Sequence, residues 1–276
     1  MRVAREHGIA DIIDFAFGTL RSTYKPIVAV VALLGGPGLV LTAIGVVVTN
    51  AATDAAAGAL GAVNPAWWIL LGVGVLALAI GAIATEPAII HVAMAGSRGE
   101  RPRVAASAWF GVRKVPGLFM VWTSLVIAAL LPVLVSTLMA VAAEELALTF
   151  LVTIPATLAL FLVVLMVGHL VTATVVAEPV GAWRGLGRIR RLLRGQFWRT
   201  FGRGLVFGLL IQILSGVVQV GSLAGLALGP RWAIVSQVLV YAMQYLVLVP
   251  LTAMAALGLY ADLRLRAEGI DELALL

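Results

Sequence analysis

Apolar residues in the first 25 positions recur at helical spacing. Ile9, Ile12, Ile13, Ala16, Phe17, Leu20 and Tyr24 fall on one face, with Asp11, Asp14, Gly18, Arg21 and Lys25 on the other. Such steps of three and four predict an amphipathic helix. The pattern then turns into continuous apolarity, broken into six runs at 26–48, 67–85, 117–142, 146–176, 204–228 and 232–260. About 20 apolar residues cross a hydrocarbon layer of about 30 Å. Each run therefore predicts a transmembrane helix, and the expected fold class is an all-α integral membrane protein with six spans.

Composition strengthens that reading. Of 276 residues, 62% are hydrophobic and only 12% charged, whereas a soluble domain carries about a quarter charged residues. The first run is longer than the apolar core of a secretory signal, about 7–15 residues, and follows an arm that includes Asp11 and Asp14. It is expected to stay in the protein as a span. The chain has no cysteine, which excludes disulfides and thiolate-bound metals.

Charge sets an expected orientation. Arg2, Arg5, Arg21 and Lys25 precede the first span. Arg98, Arg101, Arg103, Arg113 and Lys114 follow the second, and seven arginines from Arg184 to Arg203 follow the fourth. Arg264 and Arg266 close the chain, so Arg231 alone among the basic residues falls on the opposite side, with Asp54, Glu144 and Glu145. The positive-inside rule then puts both termini in the cytoplasm, with the protein a multi-pass resident of a bacterial cytoplasmic membrane. The net charge of +6 lines one leaflet, where anionic headgroups attract each basic side chain by about 1 kcal/mol. Nucleic acid is not an expected partner, because no soluble basic face interleaved with aromatics exists.

The amphipathic pattern occurs again before the third and fifth spans. Val104, Ala108 and Val112 repeat it weakly beside Arg101, Arg113 and Lys114. The stretch AEPVGAWRGLGRIRRLLRGQFWRTFGRG (177–204) repeats it strongly. Trp183, Leu186, Ile189, Leu193, Phe197 and Phe201 make its apolar stripe, and Arg184, Arg188, Arg191, Arg199 and Arg203 its basic side. Arg190 and Arg194 flank the stripe, within snorkelling reach. Arg184, Arg188, Arg191, Arg194 and Arg199 are the candidate headgroup contacts. Three-residue steps among arginines also occur in voltage sensors, but here they lie in a glycine-containing linker without acidic partners in the spans.

Three units of an interfacial helix plus a hairpin follow, within a single membrane domain, at 9–95, 102–180 and 182–268. Their ends share an acid at the inner boundary: Thr85-Glu86-Pro87, Ala177-Glu178-Pro179 and Ala261-Asp262-Leu263. Glu86, Glu178 and Asp262 are candidates for ion pairs with the basic helices. A helix break is expected at each Glu-Pro, since the residue before proline avoids the helical region. The alternative is that charges at span ends and prolines at span exits are common in membrane proteins of any design.

Three motifs carry a family resemblance. GIADIIDFAFGTLRSTYKPIVAVVAL at the start, EPVGAWRGLGRIRRLLRGQFWRTFG before the fifth run and LGLYADLRLRAEGIDELAL at the end resemble bacterial six-span proteins related to the membrane domain of glycerophosphoryl diester phosphodiesterases. Ala261 departs from the aromatic often found there. The resemblance implies a stand-alone membrane protein without the catalytic barrel of the fused members, so it carries over no catalytic residue.

Reactive chemistry has little foothold. His91 follows Glu86 by five residues and His169 precedes Glu178 by nine, whereas helical metal sites use steps of three or four. No metalloprotease motif or nucleophile elbow is present. A non-enzyme without cofactor or metal is the expectation. The most polar feature within the spans is a possible seam in the last hairpin. Gln212, Ser215, Gln219 and Ser222 recur on the fifth span, and Gln237, Tyr241 and Gln244 on the sixth. Such a seam either carries a solute or headgroup, or bonds helix to helix at about 0.6 kcal/mol per contact. Gly35-Gly36-Pro37-Gly38, Pro132, Pro155 and Pro250 mark expected interruptions. The expected role is a lipid-associated scaffold or assembly partner with other membrane proteins, the alternative a transporter or channel using the seam.

Overall fold

The protein is described by a computed structural model covering residues 8–56, 65–143 and 146–269. Arg2, Arg5, Glu144, Glu145 and the acidic-apolar ending 270–276 fall outside the described residues. Among the described residues there are helices and short turns, and no strand. Six helical stretches are long and apolar enough to cross a membrane: Ile9–Gly45, Trp68–Ser97, Val104–Leu138, Thr153–Ala177, Phe197–Leu223 and Val235–Glu268. Each overlaps one predicted run. The chain is a multi-pass helical membrane protein.

The helices are α1 (Ile9–Ala56), α2 (Pro65–Ser97), α3 (Val104–Ala143), α4 (Leu146–Ala177), α5 (Ala182–Leu192), α6 (Phe197–Ala227), α7 (Pro230–Met243) and α8 (Val249–Glu268). Several exceed the runs that predicted them. At 48 residues, α1 is about 70 Å long, more than twice the hydrocarbon thickness. The amphipathic segments at 9–25 and 104–114 are thus the opening turns of α1 and α3, not separate helices. Pro37, Pro132 and Pro155 lie inside helices, as do Pro26 and Pro116, so the interruptions expected at the first three do not occur. In lipid a helix is costly to leave, because unpaired backbone groups find no water there, and neighbours absorb the defect at proline.

The two Glu-Pro sites behave differently. α2 runs straight through Glu86-Pro87, where every residue from Ala84 to Ile90 is buried. α4 instead ends at Ala177, before Glu178-Pro179. There Gly181 adopts an extended backbone (ψ 159°) and starts α5. Tight packing holds the first proline in helix. A following glycine and a return helix release the second.

The chain divides into two compact units, each described by itself. One is built mainly from 116–207 and 256–269, the other from 13–115 and 208–255. In the first, α5 folds back on α4, with Gly185 against Val175 and Val171. Gly204 of α6 touches Met166 of α4 and Leu259 of α8. Leu118, Leu170, Ile189, Leu257, Tyr260 and Leu263 fill this core.

In the second unit, α1 and α2 approach closely through glycine. A Cβ on Gly38 would lie 2.5 Å from the Leu78 nitrogen, and one on Gly74 2.7 Å from the Thr42 nitrogen. Helices in lipid gain little from hydrophobic burial against each other, so small residues that let backbones touch set the interface. The GGPG segment read as an interruption is therefore part of a packing face. Tyr245 covers Gly35 and donates to the Leu78 carbonyl at 3.4 Å.

The last span carries one irregularity, a π turn over Gln244–Leu248 between α7 and α8. Pro250 supplies the reason: it has no N–H for the residue 246 carbonyl, and its ring crowds that position, so the chain widens by one residue. Here a predicted interruption does appear, as a bulge within a continuous helix.

Candidate functional site

The arginine-rich stretch forms two pieces rather than one amphipathic helix. α5 ends at Leu192, and a turn through residues 193–196 leads into α6. Gly195 makes that turn with φ +78°, a conformation glycine adopts without steric cost. Phe197 and Phe201 thus belong to α6, where their rings stack at 5.8 Å. On α5 the buried residues are Ala182, Gly185, Ile189 and Leu192, while Trp183 is exposed. The stripe expected from bulky residues is rotated. Ile189 and Leu193 of that stripe are still buried, but the position that meets Val175 and Val171 of α4 is Gly185, whose lack of a side chain allows the close approach.

That seating brings the acid at the end of α4 onto the basic helix. Arg188 Nε donates to Glu178 Oε1 at 3.2 Å, and Arg188 Nη1 pairs with Glu268 at 2.5 Å. Glu268 also accepts from Arg264 at 3.1 Å, and Arg264 lies 3.9 Å from Glu178. The fully buried Tyr260 donates its hydroxyl to Glu178 Oε1 at 2.6 Å. Two carboxylates and two guanidinium groups therefore form one charge-balanced cluster joining α4, α5 and α8. The hydrogen bond to Glu268, ahead of that to Glu178, holds the Arg188 guanidinium further above its usual range, against a smaller opposing effect of burial. Charge-assisted bonds of this kind are about twice as strong as neutral ones.

Asp262 makes a second junction. Its carboxylate accepts from Arg203 of α6 at 2.5 Å and from Arg266 Nε at 3.2 Å, and Arg266 Nη2 also pairs with it. The Asp262 side chain is only 3% exposed. Glu178 and Asp262 thus both meet basic residues. The third boundary acid, Glu86, is buried in α2. Near it, His91 Nδ1 lies 3.0 Å from Ser107 Oγ and its ring stacks on Phe110 at 4.6 Å. His169 meets the edge of Trp122 at 5.4 Å.

The roles of Tyr260, Arg264, Arg266 and Glu268 were missed from sequence. A signal existed: Tyr260, Arg264 and Glu268 recur every four residues, as do Asp262 and Arg266, which aligns each set along a helix face.

Beside the balanced cluster lies an open cleft of about 460 Å³, lined by Glu178, Val180, Arg184, Gly187, Arg188 and Arg191. Arg184, Arg191 and Arg194 are exposed. Among the candidate headgroup contacts, Arg188 is engaged by Glu178 and Glu268. Arg199 sits exposed on the first turn of α6.

The polar seam comes together only in part. Gln244 Nε2 donates to Ser215 Oγ at 3.4 Å across the hairpin, and Gln219 Nε2 donates to the same oxygen at 3.2 Å from its own helix. Ser215 is buried. Gln212, Gln219, Gln237 and Tyr241 are exposed, and Ser222 bonds back to the Gln219 carbonyl. The chain matches no protein-family model, no curated protein and no solved structure.

Proposed function

We propose that the protein is a non-catalytic, lipid-associated scaffold of a bacterial cytoplasmic membrane, working with other membrane proteins. The observation that carries this reading is α5, a basic helix tied by Arg188 to Glu178 and Glu268 while other arginines stay exposed. A helix so held presents charge and an exposed Trp183 to the anionic leaflet. The basic residues flanking the spans support a cytoplasmic position for both termini. The three-unit organisation draws support from α1, α3 and α5, each of which opens a unit with an amphipathic segment. The sequence likeness to stand-alone relatives of the phosphodiesterase membrane domain fits the same role. The bond from Gln244 to Ser215 supports packing over passage for that part of the seam.

Purification of the full chain in mild detergent, with co-eluting lipids and proteins identified by mass spectrometry, tests the proposal. Anionic lipid and a stoichiometric membrane partner are expected. Solute flux through proteoliposomes containing the protein alone would overturn the scaffold reading in favour of transport.

A further inference from the structure

α5 carries arginines at positions 184, 188 and 191, steps of four and three that put them on one face. All three line the cleft with Glu178. Their states differ. Arg188 is engaged on both sides by Glu178 and Glu268. Arg184 and Arg191 have no hydrogen bond or ion pair among the described residues. Two free guanidinium groups, with Cα atoms about 10 Å apart along the helix, therefore flank a third that is fixed between them.

We infer that this cleft is a discrete site for a lipid headgroup bearing two negative phosphate charges, gripped by Arg184 and Arg191. The inference rests on the leaflet reading above and narrows it to one place. Guanidinium forks match phosphate oxygens bidentately. The lining residues sum to a formal charge of +2, three arginines against Glu178, which suits a dianion. Glu178 already accepts from Tyr260 and Arg188, so its carboxylate is engaged and offers little to the ammonium of a zwitterionic headgroup. Arg188, locked by carboxylates, forms the wall of the site and not its ligand. Exposed Trp183 next to Arg184 places the cleft at the depth where amphipathic rings sit in a bilayer.

The test uses the full chain in detergent, titrated with phosphatidic acid, cardiolipin, phosphatidylglycerol and phosphatidylethanolamine and read by native mass spectrometry. The two dianionic lipids are expected to bind most tightly. Each of Arg184→Gln and Arg191→Gln is expected to weaken them about fivefold, the gain typical of one basic residue at an anionic surface. The exposed arginines outside the cleft lining, changed as Arg190→Gln with Arg194→Gln, are expected to leave the preference intact. Equal losses in both pairs would mean diffuse attraction, overturning the cleft while sparing the leaflet reading. No preference of the native protein for anionic over zwitterionic lipid would bring down both. Displacement of bound lipid by millimolar inorganic phosphate would overturn the headgroup assignment in favour of a free anion. Arg184→Lys with Arg191→Lys keeps charge without the fork, so binding as tight as native would remove the bidentate argument.

Discussion

Tyr260 and Glu178, 82 positions apart, are joined by a hydrogen bond of 2.6 Å from the phenol to the carboxylate. Tyr260 is fully buried, and the same Glu178 oxygen accepts from Arg188. One carboxylate thus fastens the end of α4 to both α5 and α8. Tyr260→Phe keeps the ring and removes this donor. A hydrogen bond to a charged group contributes about 1.5–3 kcal/mol, and a loss in that range is expected in equilibrium unfolding in mixed micelles. An unchanged unfolding midpoint would show that Arg188 and Arg264 alone satisfy Glu178.

Asp262 faces two arginines from within the fold, and its removal is expected to be more severe. Asp262→Asn leaves Arg203 and Arg266 without their shared counter-charge. Breaking a buried pair by removing one partner costs about 3–5 kcal/mol. Adding Arg266→Met is expected to recover part of that loss, because one uncompensated charge leaves with it. The coupling can be read from a double-mutant cycle of unfolding free energies. Simple additivity of the two changes would contradict the shared junction.

Much of this was legible in the sequence, and the rest was hidden for identifiable reasons. The six spans followed from run length, since hydrophobic thickness imposes a minimum that composition reveals directly. Pairing of Glu178 and Asp262 with basic residues followed from opposite charges at the same boundary. Which arginine pairs with which acid did not, because that depends on the rotation of α5. The rotation is set by Gly185 against Val175, and a glycine gives no hydrophobic signal. The helix breaks misled for a related reason. Pro37 and Pro87 carry the same local preference as Pro179, yet only the last ends a helix. Exposure does not sort them, since Pro37 is exposed and Pro87 buried; what sets Pro179 apart is the extended Gly181 and the return helix that follow it.

Glycines at the α1–α2 contact give a third expectation. Gly74→Val places a branched side chain where a Cβ alone would sit 2.7 Å from the Thr42 nitrogen. Backbone cannot yield as a flexible side chain does, so the two helices must separate. Overpacking of this kind costs about 1–3 kcal/mol. Gly72→Val, two residues away on a face with open space, is the control and should be nearly neutral. Similar losses from both variants would place the cost in helix propensity and not in the contact.

The seam offers the sharpest functional contrast, and the absence of native cysteine makes it accessible to labelling. Ser215 sits buried between Gln219 and Gln244 and accepts from both, while Gln212 and Gln219 have exposed side chains on α6. In a bilayer an exposed face on a lone span meets lipid unless a water-filled path runs beside it. Single cysteines at positions 212 and 219 are therefore expected to resist membrane-impermeant thiol reagents applied from either side. Ser215→Ala should cost about 0.6 kcal/mol, the average for an interhelical hydrogen bond in a membrane protein. Rapid aqueous labelling at both positions, with the Ser215 variant as stable as the native chain, would reverse the assignment. The glutamines would then line a passage, and the bond from Gln244 would be incidental to packing.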